Sequence, residues 1–158
     1  MRSKKAPVRT IAPDPKYGSE RIAKFINYVM RDGKKAIAQK LVYKTLETVA
    51  LETKKKPVEV FDEVIDIISP HMEVRSRRVG GAAYQVPVPV KGKRAFALAL
   101  SWLINAADAR PNKEYHTFDA KLVAEMLDAL KGVGGAVERR DTTHKAADAN
   151  KAFAHFRW

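Results

Sequence analysis

From Ser19 onward apolar residues recur at spacings of three and four, with Ile22, Phe25, Ile26 and Val29 on one face before Gly33 interrupts the pattern. This spacing predicts a helix. A second helix follows directly, its apolar face running through Ala38, Leu41, Val42, Thr45 and Val49. Beyond the lysines Lys54 to Lys56, Pro57 suits the first position of a third helix, lined by Phe61, Val64, Ile65 and Ile68 and stopped by Pro70.

The period then changes. In EVRSRRVGGAAYQVPVPV, residues 73–90, Tyr84, Val86, Val88 and Val90 alternate as a strand does, and Gly80-Gly81 supplies the turn of a β-hairpin. Pro87 and Pro89 lie two apart, so both missing donors fall on one edge and predict that no further strand joins it. A two-stranded ribbon is marginal in water and needs support from helices or a ligand. Helices resume with RAFALALSWLINAADAR, apolar nearly all round except for a stripe of Ser101, Asn105 and Asp108, as a central helix would be. Thr117 reads as the cap of the next helix, with Asp119 in its first turn, Leu122, Met126, Ala129 and Leu130 facing the core, and Gly132 at its end. GVGG reads as a flexible loop, and DTTHKAADANKAFAHFRW as an alanine-rich helix ending in a tail of Phe153, Phe156, Arg157 and Trp158. The pattern predicts a mainly α fold with one hairpin between the third and central helices.

A chain of 158 residues, 46% hydrophobic and 30% charged, supports one domain with its own core over residues 1–158. Its charge changes the picture: 30 lysines and arginines against 18 acids leave +12, more than solubility asks for, so the partner is expected to be a polyanion. With no cysteine, disulfides, thiolate zinc sites, iron-sulfur clusters and a cysteine nucleophile are excluded. No apolar run follows the basic N-terminus as a secretory signal requires, and the uncharged stretch Ala95 to Ala107 is too short for a bilayer. The expectation is a soluble intracellular protein, with no membrane contact. Residues 1–16, carrying Arg2, Lys4, Lys5, Arg9 and Lys16 among three prolines with Asp14 as the single acid, read as an extended basic arm that orders on its partner.

The sharpest chemical clue is the position of the cations relative to helix ends. Lys34 and Lys35 open the second helix, and Lys91, Lys93 and Arg94 open the central one, where the helix dipole disfavours positive charge. Phosphate held by the lysines and the free backbone N–H groups together would resolve both conflicts; an ordinary solvated basic terminus is the alternative. On the hairpin, Arg75, Arg77 and Arg78 face a single acid, Glu73, with Tyr84 across the turn, a mix of guanidinium and aromatic surface suited to RNA or, more plainly, to a solubilised edge. Arg139, Arg140 and Lys145 beside the glycine-rich loop make a third basic site, diluted by Glu138 and Asp141, for which a solvated loop is an equal reading.

Catalytic signals are weak. His71, His116, His144 and His155 are scattered without metal-ligand spacing, and Asp62, Glu63 and Asp66 read as the solvated face of the third helix. GKK and GKR lack the remainder of a phosphate-binding P-loop, and GVGG follows no strand. Neither an enzyme nor a cofactor is expected.

Four segments, KYGSERIAKFINYVMRDGKKAIAQKLVY, SPHMEVRSRRVGGAAYQVPVPV, RAFALALSWLINAADAR and DTTHKAADANKAFAHFRW, together resemble the small-subunit ribosomal protein family number seven, from about Tyr17 to Trp158. RRVGG before YQVPV, and NKAFAH before an aromatic residue and RW, are unusual strings in the right order. The resemblance implies a six-helix, bundle-like body with a protruding two-stranded hairpin. It implies a primary binder of the 3′ major domain of small-subunit ribosomal RNA that nucleates head assembly and lies near the exit-site tRNA and mRNA, beside neighbouring ribosomal proteins of head and platform. The length looks bacterial or plastid, which implies the cytoplasm or the plastid stroma. The family's RNA contacts carry over onto the basic arm, Lys34, Lys35, Arg75, Arg77, Arg78, Lys93 and Arg94. Ser101, Phe118 and Glu138 depart from the family's usual arginine, methionine and basic residue at those places.

An architectural or helix-turn-helix DNA-binding protein is the alternative from another class. Against it, no short helix pair presents a polar recognition helix, and the basic sites are spread over arm, ribbon and helix starts, as wrapping folded RNA requires.

Overall fold

In the computed structural model, which describes residues 10–156, the Ser19 hydroxyl accepts from the Ile22 N–H at 3.4 Å and starts α1, Glu20–Val29. Helices α2, Lys35–Thr53, and α3, Pro57–Ile68, follow, then strands β1, Met72–Val79, and β2, Ala82–Pro89, and then α4, Gly92–Ala109, α5, Phe118–Leu130, and α6, Gly135–Ala149. A 3-10 turn, Lys151–Phe156, ends the described chain. Arg2, Lys4, Lys5, Arg9, Arg157 and Trp158 lie outside the described residues.

The apolar stripes read from the spacing point inward, except that Leu41 of α2 is only half-buried and lines a surface cavity. Ile22 and Phe25 of α1, Val42 and Leu46 of α2, and Phe61, Val64 and Ile65 of α3 are all at most 1% exposed, and the Phe25 and Phe61 rings stack with centroids 5.2 Å apart. Helix α4 is central, packing against α1, α3, α5 and α6. Its Leu100 and Leu103, with Leu122 and Met126 of α5, are wholly buried, while Asn105 and Asp108 of its polar stripe are exposed. Each such buried side chain contributes about 1.5–3 kcal/mol, so the body is held by apolar burial.

Four local readings need correction. The expected arm is already folded at its C-terminal end. Asp14, 3% exposed, accepts from the N–H groups of Lys16 and Tyr17, both at 3.1 Å, and from the Tyr43 hydroxyl at 2.7 Å, which ties this segment to α2. Burial, with the Asp14 carboxylate beside it, pushes the Tyr43 hydroxyl up to about 12. Thr117 sits at the cap position of α5 but its side chain makes no cap hydrogen bond to the backbone; the hydroxyl supports the Asp119 carboxylate instead.

GVGG is a built turn rather than a flexible loop. Gly134 has φ +106, and a Cβ there would stand 3.0 Å from Oε1 of Glu125. That oxygen accepts from the Ala136 N–H at 2.8 Å, so a carboxylate from α5 caps α6 from the side and lets it begin at Gly135. Glu125 is 1% exposed, and Arg110, at the end of α4, meets its other oxygen at 2.8 Å through Nε and also bonds Asp128. Burial works against the Arg110 charge, but Asp128 and Glu125 overcome it and hold its pKa above the usual range. At the other end the alanine-rich segment stops being an α-helix at Ala149, where the Asn150 side chain donates to the Ala146 carbonyl at 2.8 Å and the chain tightens into the 3-10 turn.

The ribbon pairs Met72 with Pro89 through Val79 with Ala82, and Val90 N–H donates to the His71 carbonyl at 2.9 Å, so the N–H groups of residues 86, 88 and 90 point to the partner strand while the nitrogens of both prolines lie on the other edge, Pro87 itself being buried and Pro89 exposed. Among the described residues no third strand joins it. Its support comes from the body: Val86 is fully buried and Glu73 is 8% exposed, because α6 and the 3-10 turn pack against the ribbon.

Candidate nucleic-acid interface

Among the described residues, four of the six α-helices carry an acid in the first turn, namely Glu20, Glu59, Asp119 and Glu138. Helices α2 and α4 carry none, and neither Lys34 nor Lys91 at their cap positions provides a side-chain cap. These are the two helices singled out from the lysine positions alone. The turn into α2 places Asp32 at φ 53 and Gly33 at φ 72, two successive left-handed residues that reverse the chain; the Lys34 and Lys35 N–H groups donate to the Arg31 and Gly33 carbonyls at 3.0 and 2.8 Å, so the open donors of this helix start are those of Ala36 and Ile37. Lys34 meets Asp32 at 3.5 Å with both side chains largely exposed, a pair of ~0–1 kcal/mol that competes weakly with a bound anion.

The cations divide into committed and uncommitted sets. Glu73, buried at the ribbon's base, accepts from Arg75 Nε at 2.7 Å and Arg94 Nε at 3.3 Å, so one carboxylate joins the ribbon to the first turn of α4. Arg140 donates to the Ile67 carbonyl at 2.5 Å and to Asp141 at 2.8 Å, which fastens α6 to the end of α3. Among the described residues Lys35, Arg78, Lys91, Lys93, Arg139 and Lys145 form no ion pair. Strand alternation places Arg75 and Arg77 on one face of the ribbon and Arg78 on the other. Tyr84, opposite Arg77, lies with its ring 5.2 Å from Phe153 and 5.1 Å from Phe156, so it anchors the C-terminal turn to the ribbon.

Sequence reasoning missed several residues. Lys24 of α1 shares a concavity of about 430 Å³ with Lys93 and Gly92 at the start of α4, lined also by Glu20 and Asp66, whereas Arg21 is paired with Asp62 and Asp66 and Arg31 with Asp108. Lys24 follows Ala23 on the polar side of an amphipathic helix, a position no linear pattern separates from a solvated one. His71 and His144, read as scattered, stack at 5.8 Å, and the His71 N–H donates to Nε2 of His144 at 3.1 Å. Among the described residues no group of three or more histidines and acids stands in position to hold a metal, and no helix is long and apolar enough to cross a membrane.

A helical body with a basic ribbon, two acid-free helix starts bearing lysine, and unpaired cations spread over several elements has the charge distribution of the class of proteins that bind polyanions. Comparison with known sequences gives the family. The profile described as Ribosomal protein S7p/S5e matches residues 1–151. Small ribosomal subunit protein uS7 of Bordetella petrii is 53% identical over 157 residues, covering 99% of both chains. The proteins of the same name from Rhodobacter capsulatus, 53% identical over 95% of this chain and 94% of the relative, and Desulfovibrio desulfuricans, 51% over 96% of each, agree. The chain belongs to the Ribosomal protein S7p/S5e family, a structural and non-enzymatic one.

Proposed function

We propose that the chain is a structural constituent of the small ribosomal subunit and a primary binder of the 3′ major domain of small-subunit rRNA. In this reading it nucleates head assembly, and its ribbon reaches toward the exit-site tRNA and mRNA. Its other partners are the neighbouring ribosomal proteins of head and platform, and it works on the cytoplasmic ribosome. The observation that carries the reading is the pair of helix starts, α2 and α4, that lack both acid and cap while presenting Lys34, Lys35, Lys91 and Lys93. A bare protein gains nothing from cations there; a phosphate between them and the backbone N–H groups is favourable. Arg75, Arg77, Arg78, Tyr84, Arg94, Arg139, Arg140 and Lys145, with the arm and tail residues, complete the proposed contact set. Within it Arg140 and Tyr84 act chiefly by holding α6 and the C-terminal turn in place. The relatives' name, small ribosomal subunit protein, supports the same reading.

The test is filter binding of the full chain to separate transcripts of the 5′ and 3′ major domains. The 3′ transcript should bind far more tightly, and Lys93→Glu should weaken it. Equal affinity for both transcripts would refute the domain assignment.

A further inference from the structure

Between the end of α1, the start of α2 and the side of α4 lies a cavity of about 290 Å³, near the lower bound of ~300 Å³ for ligand pockets. Val29, Ala38, Leu41 and Ile104 give it apolar walls, and Phe118 and Tyr28 contribute two aromatic rings. Two of its large apolar residues remain in water: Tyr28 is 48% exposed and Ile37 56%. Arg31 and Lys34 line it as well, and Lys34 is at the same time the cap residue of acid-free α2. Apolar volume and phosphate-ready helix start are therefore continuous through one residue.

We propose that this cavity receives one unstacked nucleobase of single-stranded RNA, whose adjoining phosphate rests on the Lys34 and Lys35 side chains and the N–H groups of Ala36 and Ile37. The inference rests on the reading of the chain as an RNA binder and adds a specific subsite to it. A base is a flat apolar body with polar edges, and aromatic rings give it a stacking surface that water does not. Asp108, which pairs with Arg31 at 3.1 Å and lines the cavity, offers an acceptor to an exocyclic amine, while Arg31 offers a donor. Charge decides between a base and a hydrophobic side chain of a neighbouring protein. Either would fill the apolar volume, but only a nucleotide brings the negative charge that the start of α2 lacks.

The test uses the full chain and the 3′ major domain transcript. Tyr28→Ala and Ile37→Ala each remove a half-exposed side chain, so thermal unfolding should stay near the parent's. RNA affinity should fall roughly fivefold to 150-fold for Tyr28→Ala, the range for loss of one base–aromatic stack. Ultraviolet crosslinking of the parent complex should place a nucleotide on the tryptic peptide of residues 25–31. If the parent binds the transcript while both variants bind within twofold and that peptide carries no adduct, the subsite is overturned and the RNA reading stands. If the variants keep RNA affinity but fail to enter subunits reconstituted with the other ribosomal proteins, the cavity holds a protein neighbour and the nucleobase is excluded. If the parent itself does not bind the transcript, the underlying function is at fault.

Discussion

Glu125→Leu removes a carboxylate that performs three tasks at once. Its Oε1 caps α6 through the Ala136 N–H at 2.8 Å, its Oε2 holds Arg110 at 2.8 Å, and it fixes the turn in which Gly134 takes φ +106. Leucine is close in volume, so little cavity arises and the loss is electrostatic. Breaking a buried ion pair by deleting one partner costs about 3–5 kcal/mol. Arg110 keeps Asp128 as a partner, which favours the lower end, while loss of the helix cap adds about 1 kcal/mol. The expected destabilisation is thus about 3–4 kcal/mol, or roughly 6–16 °C in Tm for a chain of this size. Glu125→Gln keeps an acceptor for Ala136 and should lose about half as much. Calorimetry of the two variants beside the parent is the assay. A leucine variant within about 1 kcal/mol of the parent, or a glutamine variant as damaged as the leucine one, would refute the capping argument.

Other consequences follow from the same geometry. Changing Lys34 and Lys35 together to glutamate should leave thermal unfolding equal or slightly improved, because acids suit a helix start, while RNA affinity falls; a sharp loss of Tm would make these lysines structural. Gly134→Ala should cost about 1–3 kcal/mol from its positive φ and the crowding on Glu125, measured by denaturant unfolding. Tyr84→Ala should free the 3-10 turn from the ribbon without unfolding the helices, so amide exchange should rise at residues 151–156 and stay low in α4 and α5. Burial of Asp119 raises its carboxyl pKa, yet the Lys44 ammonium at 2.6 Å and the Thr117 hydroxyl outweigh this and leave it below the usual carboxylate range. Its contribution is therefore fully present above the ordinary carboxylate pKa and is lost as pH falls through the lowered value; Asp119→Asn should flatten that acid limb of a stability–pH curve.

How much was legible in the sequence depended on how local the cause was. The stripes Ile22–Phe25–Ile26 and Phe61–Val64–Ile65 carry their own period, and Pro57, Pro70 and Gly80-Gly81 punctuate the chain through backbone geometry, so helices and ribbon could be read directly. The uncapped starts of α2 and α4 were legible because a dipole conflict sits within a few adjacent residues. What could not be read were pairings made by the fold: Glu125 with Arg110 and Ala136, Arg140 with the end of α3, Asp14 with Tyr43, and Tyr84 with Phe153 and Phe156. In each case the partner stands many positions away, and the same residue types are equally at home on a solvated surface. For the same reason the sequence showed three arginines on the ribbon but not that Glu73 also holds Arg94, at the start of α4.

The central claim is that unpaired cations bind ribosomal RNA through its phosphates and recognise its folded shape. Its most direct test is the salt dependence of binding to the 3′ major domain transcript, measured with duplex DNA of equal charge as competitor. Lys35, Arg78, Lys91, Lys93, Arg139 and Lys145, if each displaces one counterion, give a log–log slope of about −4 to −5. The account predicts a slope at least that steep with DNA competing poorly; a slope near zero, or DNA competing as well as the RNA, would contradict it.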